Sequence, residues 1–352
     1  MNSRPDWRGI KTLLLWVLLC GFCMAVMLWW AAGKSIVIAD ASPREQEEQS
    51  VLQEQNAPER YRLTLEAEAD KARHFCIPLD PAIRGEQISI ENRYMDRQLW
   101  IYIQGARAAD YLDYVITGDL SSLVGGWAQQ QGETTVLKLQ MNTVQEYSSL
   151  MEENCLYVEY AAPEECYDRI VVIDPRGGGE DPGLTAEGRQ EKEITLQIAK
   201  AVKRLLEGTD IKAYFTRLED AELTAQDRAY LVREVNADLY VGIGVNEAPG
   251  EPEQFGTEVW YNGDYFIPEF GNLQLADLLE RQVTEAVVGR ANGLLQAEDP
   301  VLQQLTIPGA LLKAGYLTHE DEGELLTREG YTEKIAEGIV AALQQAFAEG
   351  KE

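Results

Sequence analysis

Residues 171–183, VVIDPRGGGEDPG, decide the fold because a buried-strand pattern runs directly into a glycine-rich polar loop. Residues 169–174 (RIVVID) are short, β-branched and apolar, which is typical of a central strand in an α/β sheet. Ligands of open α/β sheets bind beyond the carboxyl ends of the strands, so residues 175–183 are the first candidate for a functional site. A flexible turn without a ligand is the alternative interpretation of such a loop.

Helices and strands alternate after this loop. Glu191 opens a helix with one apolar face, and Gly208 follows as a candidate C-cap. Residues 238–246 (DLYVGIGVN) predict a second buried strand, and residues 335–346 predict a closing helix with its apolar face inward. The pattern therefore predicts an α/β domain over residues 166–352, with a sheet flanked by helices.

Five sequence blocks of this domain resemble those of the zinc-dependent N-acetylmuramoyl-L-alanine amidases, which cleave peptidoglycan between the lactyl group and the stem peptide. That family has a VVIDPGHGG-type strand end, an EKD-type helix start, a TR pair, a SIHxN strand end and a PAVLVELGFLSN-like block. In the same order the chain has VVIDPRGGG (171–179), EKE (191–193), TR (216–217), GIGVN (242–246) and PGALLKAGYLTH (308–319). The resemblance implies an amidase-like sheet flanked by helices.

The resemblance also places the family's metal site on this chain. Its three zinc ligands fall on Gly177, Glu191 and Gly244, and its general-base glutamate falls on Lys313. A zinc hydrolase needs three protein ligands and an open position for water. Because the resemblance retains a single ligand, Glu191, we expect no catalytic zinc and no other cofactor.

The two histidines of the chain do not restore this set. His74 lies in an upstream domain, and His319 falls where the family has a polar loop residue. A lone histidine is more commonly a surface or hydrogen-bonding residue than a metal ligand. The sequence also has no Ser/His/Asp or Cys/His arrangement that would replace the metal.

Deletion of the metal alone would leave Glu191 as a buried carboxylate without a counter-charge, which is costly. The cation of Lys313, or of Arg176 in the altered loop, could fill the vacated space and pair with Glu191. The alternative is that both side chains extend to solvent. Asn246 and Arg290 are further candidate groove residues, since Arg290 aligns with an arginine that the family uses beside its substrate.

The upstream residues 61–165 predict a small antiparallel β-domain, because several of their segments alternate between apolar and polar residues. These segments are residues 61–66, 87–91, 98–104, 134–141 and 155–160, with 92–97 as a turn. The pattern and position are similar to those of the AMIN domains that precede some amidases and bind cell-wall material. A structural spacer domain is the alternative.

Residues 12–33 (TLLLWVLLCGFCMAVMLWWAAG) have no charge and are long enough to cross a bilayer as a helix. We expect a retained anchor rather than a cleaved signal, because a secretory apolar core is shorter. Basic residues precede the span, so the positive-inside rule predicts a single-pass plasma-membrane protein with a cytoplasmic tail within residues 1–34. Residues 35–60 predict an acidic linker, and the bulk of the chain is then extracytoplasmic.

The net charge and the cysteine count limit the binding partners and the disulfide bonds that are expected for this chain. Its 352 residues carry a formal net charge of -28, which excludes nucleic acid as an expected partner. Outside the predicted span, Cys76, Cys155 and Cys166 are an odd number of thiols. Cys155 and Cys166 could approach across a hairpin, but the sequence leaves the pairing open.

The expected function is that of a membrane-anchored, catalytically inactive amidase homologue. It would act in the cell wall by binding peptidoglycan or by regulating a cell-wall enzyme, so its partner is peptidoglycan or a cell-wall protein. The alternative is an active peptidoglycan amidase with a rearranged site. Three substitutions at the chemical centre disfavour that alternative, because a metal-activated water and its base carry the family's mechanism.

Overall fold

The computed structural model describes residues 60–68, 73–251 and 253–350, which belong to one compact unit. The predicted tail and membrane span, and the predicted linker up to residue 59, lie outside these ranges. Within these ranges, no helix combines the length and the apolar character that a membrane crossing requires.

The amino-terminal part of the described chain is built from strands in two stacked sheets. The first sheet has the order β1-β7-β8-β5-β4 and the second has the order β2-β6-β3-β10-β9. Apolar side chains such as Ile101, Leu137 and Val158 are fully buried between the two sheets. The strands are β1 Arg60–Arg62, β2 Thr64–Ala67, β3 His74–Pro78, β4 Ile88–Arg93, β5 Gln98–Gln104, β6 Val115–Gly118, β7 Leu123–Gln131, β8 Thr134–Met141, β9 Glu146–Glu152 and β10 Cys155–Ala161.

The strand predicted over residues 61–66 is wrong as a single element. It divides at Leu63, whose side chain is buried in the core and whose N–H donates to Gly126 O at 3.1 Å. Before this point β1 pairs with β7, and after it β2 pairs in parallel with β6 in the other sheet. Among the described strands of the predicted antiparallel domain, β2 and β6 form the one parallel pair. The alternating sequence pattern does not indicate the crossing, because the apolar residues before and after Leu63 both face the core.

The disulfide bond joins Cys76 on β3 to Cys155 on β10, with their Cα atoms 5.8 Å apart. These strands are antiparallel neighbours in which Cys155 lies opposite Pro78, two residues beyond Cys76. Cys166 is a free, exposed thiol, so the pairing of Cys155 with Cys166 that the sequence left open is not formed.

The carboxy-terminal part is an α/β domain around a six-stranded sheet of order β14-β11-β15-β18-β16-β17. The first four strands are parallel, whereas β16 runs antiparallel to β18 and parallel to β17. The strands of the domain, of which β12 and β13 form a separate two-stranded sheet, are β11 Ile170–Pro175, β12 Thr185–Ala186, β13 Arg189–Gln190, β14 Lys212–Phe215, β15 Leu239–Asn246, β16 Thr257–Tyr261, β17 Ala291–Gln296 and β18 Gly309–Tyr316. The helices are α1 Pro163–Cys166, α2 Glu191–Leu206, α3 Ala225–Glu234, α4 Asn272–Val287, α5 Glu320–Leu325 and α6 Glu329–Glu349.

Both faces of this sheet are covered, which explains the uninterrupted apolar run of its central strand. Val171 and Ile173 of β11 point toward α2, α4 and α6. Ile170 and Val172 point to the opposite side, where α3 and the segment around Leu302 pack. The predicted helix start at Glu191 and the predicted buried strands at 169–174 and 238–246 are present in the structure.

The two parts meet at the edge strand β14. The Tyr94 hydroxyl donates to Phe215 O at 2.9 Å and accepts from Phe215 N–H at 3.1 Å. Burial raises the pKa of Tyr94 to about 12. Glu146 accepts from the Tyr214 hydroxyl at 2.5 Å and pairs with Lys212 at 2.9 Å. The β-rich part therefore covers an edge of the α/β sheet that would otherwise expose unpaired backbone groups.

We expect the double substitution Cys76→Ala/Cys155→Ala to lower the free energy of unfolding by about 2–5 kcal/mol, because the bond closes a long loop in the unfolded chain. The two cysteines are 79 residues apart in sequence. Equilibrium denaturation of the oxidised protein and of the variant measures the loss. Cys166→Ala is the matched control and should leave the stability unchanged, and equal stability of the double variant would contradict the assignment.

Candidate functional site

The carboxyl end of β11 contains a fully buried carboxylate, Asp174. It accepts hydrogen bonds from Thr216 Oγ1 at 2.6 Å, from the Tyr240 hydroxyl and from Arg228. Burial alone would raise the pKa of Asp174, but the charges of Arg228 and Arg176 outweigh burial and lower it. Asp174 is therefore an ionised structural anchor that ties β11, β15 and α3 together.

Arg176 does not reach the predicted partner Glu191 but pairs with other carboxylates. Its Nη2 donates to Asp299 Oδ1 at 2.8 Å, and its Nε lies 3.2 Å from Asp174 Oδ2. Asp299 also accepts from the N–H groups of Val301 and Leu302. Arg176 thus links the first loop to the segment that precedes β18.

Glu191 and Lys313 lie together at the position that the resemblance assigns to the metal. Lys313 Nζ lies 4.0 Å from Glu191 Oε1 and donates to Val245 O at 2.9 Å. Glu191 accepts from Val245 N–H and from Leu184 N–H, each at 2.9 Å. Only 10% of the Lys313 side chain and 7% of the Glu191 side chain are exposed. Burial lowers the pKa of Lys313, and the attraction of Glu191 partly offsets this effect.

Three further side chains surround this ion pair. The Trp260 ring centroid lies 4.7 Å from Lys313 Nζ. The Trp260 indole N–H and Asn246 Nδ2 both donate to Glu258 Oε1, at 2.5 and 3.1 Å. Glu258 lies directly opposite Lys313 in the pairing of β16 with β18. The positions of Glu258 and Trp260 beside Lys313 could not be predicted from the sequence, because no local pattern indicates which strand lies beside β18.

The glycines at the other two positions that the resemblance assigns to zinc ligands are closely packed, so a side chain at either position would require its neighbours to shift. A Cβ on Gly244 would lie 2.8 Å from Glu191 Oε1 and 3.3 Å from Lys313 Nζ. Gly177 has a φ of +72°, and a Cβ there would lie 2.9 Å from Lys192 Cβ. In the described ranges, no three His, Cys, Asp or Glu side chains are grouped so as to hold a metal ion. One carboxylate facing an ammonium group is not a donor set for zinc.

The remaining candidate residues lie elsewhere. The exposed Arg290 places its guanidinium carbon 5.5 Å from the Phe255 ring centroid, and that ring contacts His319. His319 is the N-cap of α5 and accepts from Glu322 N–H at 3.1 Å. His74 packs edge-on against Tyr157 in the β-rich part. The structure therefore brings together Glu191, Lys313 and Asn246 but assigns structural contacts to both histidines.

Comparison with known proteins relates the α/β domain to one family. Residues 171–345 match the family described as N-acetylmuramoyl-L-alanine amidase. The uncharacterized protein YqiI of Bacillus subtilis (strain 168) is 28% identical over 186 residues, which cover 53% of this chain and 88% of YqiI. The germination-specific N-acetylmuramoyl-L-alanine amidase of the same organism is 28% identical over 197 residues, which cover 51% of this chain and 81% of that protein. A crystal structure of N-acetylmuramoyl-L-alanine amidase from Clostridium difficile 630 is 30% identical, with a TM-score of 0.49, and the match covers 51% of this chain and 97% of that one.

We expect Lys313→Met to lower the free energy of unfolding by about 3 kcal/mol, because it leaves Glu191 buried beside no cation. Adding Glu191→Gln to Lys313→Met should recover part of the loss, which a double-mutant cycle by chemical denaturation would measure. Lys334→Met, at an exposed lysine of α6, is the control. Additive effects of the two substitutions would show that Glu191 and Lys313 do not interact.

The pKa of Lys313 also predicts how stability changes at alkaline pH. Since burial lowers this pKa below the ordinary value of 10.5, the unfolded chain binds the proton more tightly than the folded protein. The free energy of unfolding of the wild type, relative to that of Lys313→Met, should therefore rise as the pH increases from the folded pKa toward 10.5. Urea denaturation of both proteins at a series of alkaline pH values measures this difference in the free energy of unfolding. A difference that falls as the pH rises would show that the pKa of Lys313 is raised in the folded protein and not lowered.

Proposed function

Because residues 171–345 belong to the N-acetylmuramoyl-L-alanine amidase family, we propose that the chain acts at cell-wall peptidoglycan, and that it does so as a catalytically inactive member. The observation that carries the proposal is the Lys313 ammonium group, 4.0 Å from Glu191 in place of a metal and a base. A cation supplied by the chain itself satisfies the charge of Glu191 but offers no site for a reactive water.

Amide hydrolysis requires a water molecule to be activated and its proton to be accepted. Lys313 already donates to Val245 O and is held beside a carboxylate, so as an ammonium group it cannot accept that proton. Gly177 and Gly244 contribute no side chain. The buried Asp174 carboxylate already accepts hydrogen bonds from Arg228, Thr216 and Tyr240, so it is not available as the base. The active amidase with a rearranged site would need a base that the described residues around Glu191 do not offer.

The chain would then act by binding, either to peptidoglycan itself or to a cell-wall enzyme that it regulates. The germination-specific relative is named as an N-acetylmuramoyl-L-alanine amidase, and a probable cell wall amidase LytH of Staphylococcus saprophyticus is 26% identical over 185 residues. Asn246 remains at the edge of the ion pair, and the exposed Arg290 could contact a ligand. These features favour peptidoglycan as the primary partner.

The proposed location is the outer surface of the plasma membrane, with residues 12–33 as a single-pass anchor and the amino terminus in the cytoplasm. The disulfide between Cys76 and Cys155 supports an extracytoplasmic position, because such bonds persist in oxidising compartments.

We expect the purified protein to contain less than a tenth of an equivalent of zinc after exchange through a zinc buffer, and to release no product from muropeptides. A chelator should not change its thermal unfolding temperature, because no structural metal is lost. Elemental analysis, chromatography of the muropeptides and thermal denaturation provide the three measurements. An active zinc amidase treated in parallel is the control, and stoichiometric zinc or muropeptide cleavage would refute catalytic inactivity.

A further inference from the structure

A groove lies along one side of α3, where the β-rich part faces the α/β domain. One wall is the turn Tyr94–Asp96 after β4, and the other is α3 with the residue Leu223 before it. The groove contains a cavity of about 260 Å³, and an adjoining cavity of about 460 Å³ shares the same turn and Leu223. We call the surface formed by its main lining residues the acidic groove; these are Met95, Asp96, Leu223, Asp227, Leu231 and Glu234.

The residues of α3 that line the acidic groove follow the helical repeat. Asp227, Leu231 and Glu234 lie at positions i, i+4 and i+7, so they share one face of the helix. A rise of 1.5 Å per residue places the two acidic positions roughly 10 Å apart along α3. This face therefore presents a negative charge on each side of an apolar position.

The bottom of the acidic groove is apolar. Val144 and Leu231 are buried there, and Met95 and Leu223 are half-buried at its sides. A concave surface with an apolar bottom and a polar rim is typical of a site that receives another molecule. The cavity is large enough to take an apolar side chain of a partner.

The carboxylates at the rim have no counter-charge from the protein itself. Within the described ranges, Asp227 and Glu234 form no ion pair, and neither do Glu219 and Glu222 of the adjoining cavity. Asp227 Oδ2 accepts from the N–H and hydroxyl groups of Thr224, which caps α3. Glu234 Oε2 is buried and has no hydrogen-bond partner. These carboxylates therefore remain available to a cationic partner.

The arginines near the acidic groove have other partners. Arg93 pairs with Asp96 at 3.2 Å, which leaves Asp96 as the one rim carboxylate that the protein neutralises. Arg217 donates to Pro175 O at 3.0 Å. Arg97 donates to the Tyr230 hydroxyl and to Asn142 O, each at 3.1 Å. The charge of the rim is therefore net negative, and charge complementarity favours a partner with basic residues.

We propose that the acidic groove binds an amphipathic helix of a partner protein, with basic residues at positions i and i+7 and an apolar residue at i+3 or i+4. The two cations contact Asp227 and Glu234, and the apolar side chain enters the cavity between Met95 and Leu231. This is the geometry in which an amphipathic helix lies in a groove. The site goes beyond the proposed function, because it gives the chain a protein partner at a surface separate from the region around Glu191.

Two other kinds of ligand fit the groove less well. A bare metal ion would gain nothing from the apolar bottom, since hard cations take oxygen ligands. In an extended strand, two residues roughly 10 Å apart are at positions i and i+3 and point to opposite faces, so both could not reach the acidic positions of α3. A helix places residues i and i+7 on one face at the required distance.

The test is fluorescence anisotropy of the full chain with a labelled, alanine-rich synthetic peptide that has lysines at i and i+7 and leucines at i+3 and i+4. A permuted peptide of the same composition has its lysines at i and i+2, which lie on different sides of a helix. The wild type should bind the first peptide about tenfold more tightly than the permuted one, because two charge contacts form together.

Variants of the protein locate the binding surface. Asp227→Asn/Glu234→Gln keeps the size of both side chains and should bind the first peptide about tenfold more weakly than the wild type. Glu207→Gln/Glu337→Gln, which changes two exposed glutamates after α2 and on α6, is the charge-matched control and should bind like the wild type. Circular dichroism checks that each variant is folded.

Equal affinity of the wild type for the two peptides overturns the proposal, because it shows attraction to the acidic surface in general. Absence of binding to either peptide also overturns it, as does an equal loss of affinity in the two double variants. The comparison of the two peptides uses the wild type, so it decides the question even if a variant does not fold. None of these outcomes changes the test of catalytic inactivity or of peptidoglycan binding.

Discussion

The α/β domain depends on one electrostatic constraint, which is the burial of two carboxylates at the carboxyl ends of parallel strands. Asp174 and Glu191 are both almost inaccessible to solvent. A buried carboxylate is tolerated only where opposite charge and hydrogen-bond donors replace water. Asp174 obtains them from Arg228, Thr216 and Tyr240, whereas Glu191 obtains them from two backbone N–H groups and Lys313. These contacts join the strand ends that would otherwise separate around buried charge.

The same constraint links residues that are distant in sequence. The Lys313 amine needs room beside Glu191, and the glycine at position 244 provides that room. Arg176 pairs with different carboxylates from Lys313, namely those of Asp299 and Asp174. The residues at 176, 244 and 313 are therefore mutually consistent with a packed ion pair between Lys313 and Glu191.

The positions of strands and helices in the α/β domain could be predicted from the sequence, whereas the partners of its charged side chains and the neighbours of its strands could not. The strand before Pro175 and the helix starting at Glu191 follow from apolar periodicity that packing preserves. The choice between Arg176 and Lys313 as the partner of Glu191 depends on side-chain directions that periodicity does not encode. Glu258 and Trp260 join the site only because β16 runs antiparallel to β18. The break at Leu63 and the bond between Cys76 and Cys155 likewise depend on tertiary contacts.

The crossing at Leu63 has a mechanical consequence. Tension applied to the chain ahead of Arg60 first loads β1, a three-residue strand at the edge of one sheet. Leu63 then passes the load through the core to β2, which pairs with β6 in the opposite sheet. A force on this end that detaches β1 would therefore act next on a strand of the opposite sheet, so both sheets oppose the extension of a single chain segment.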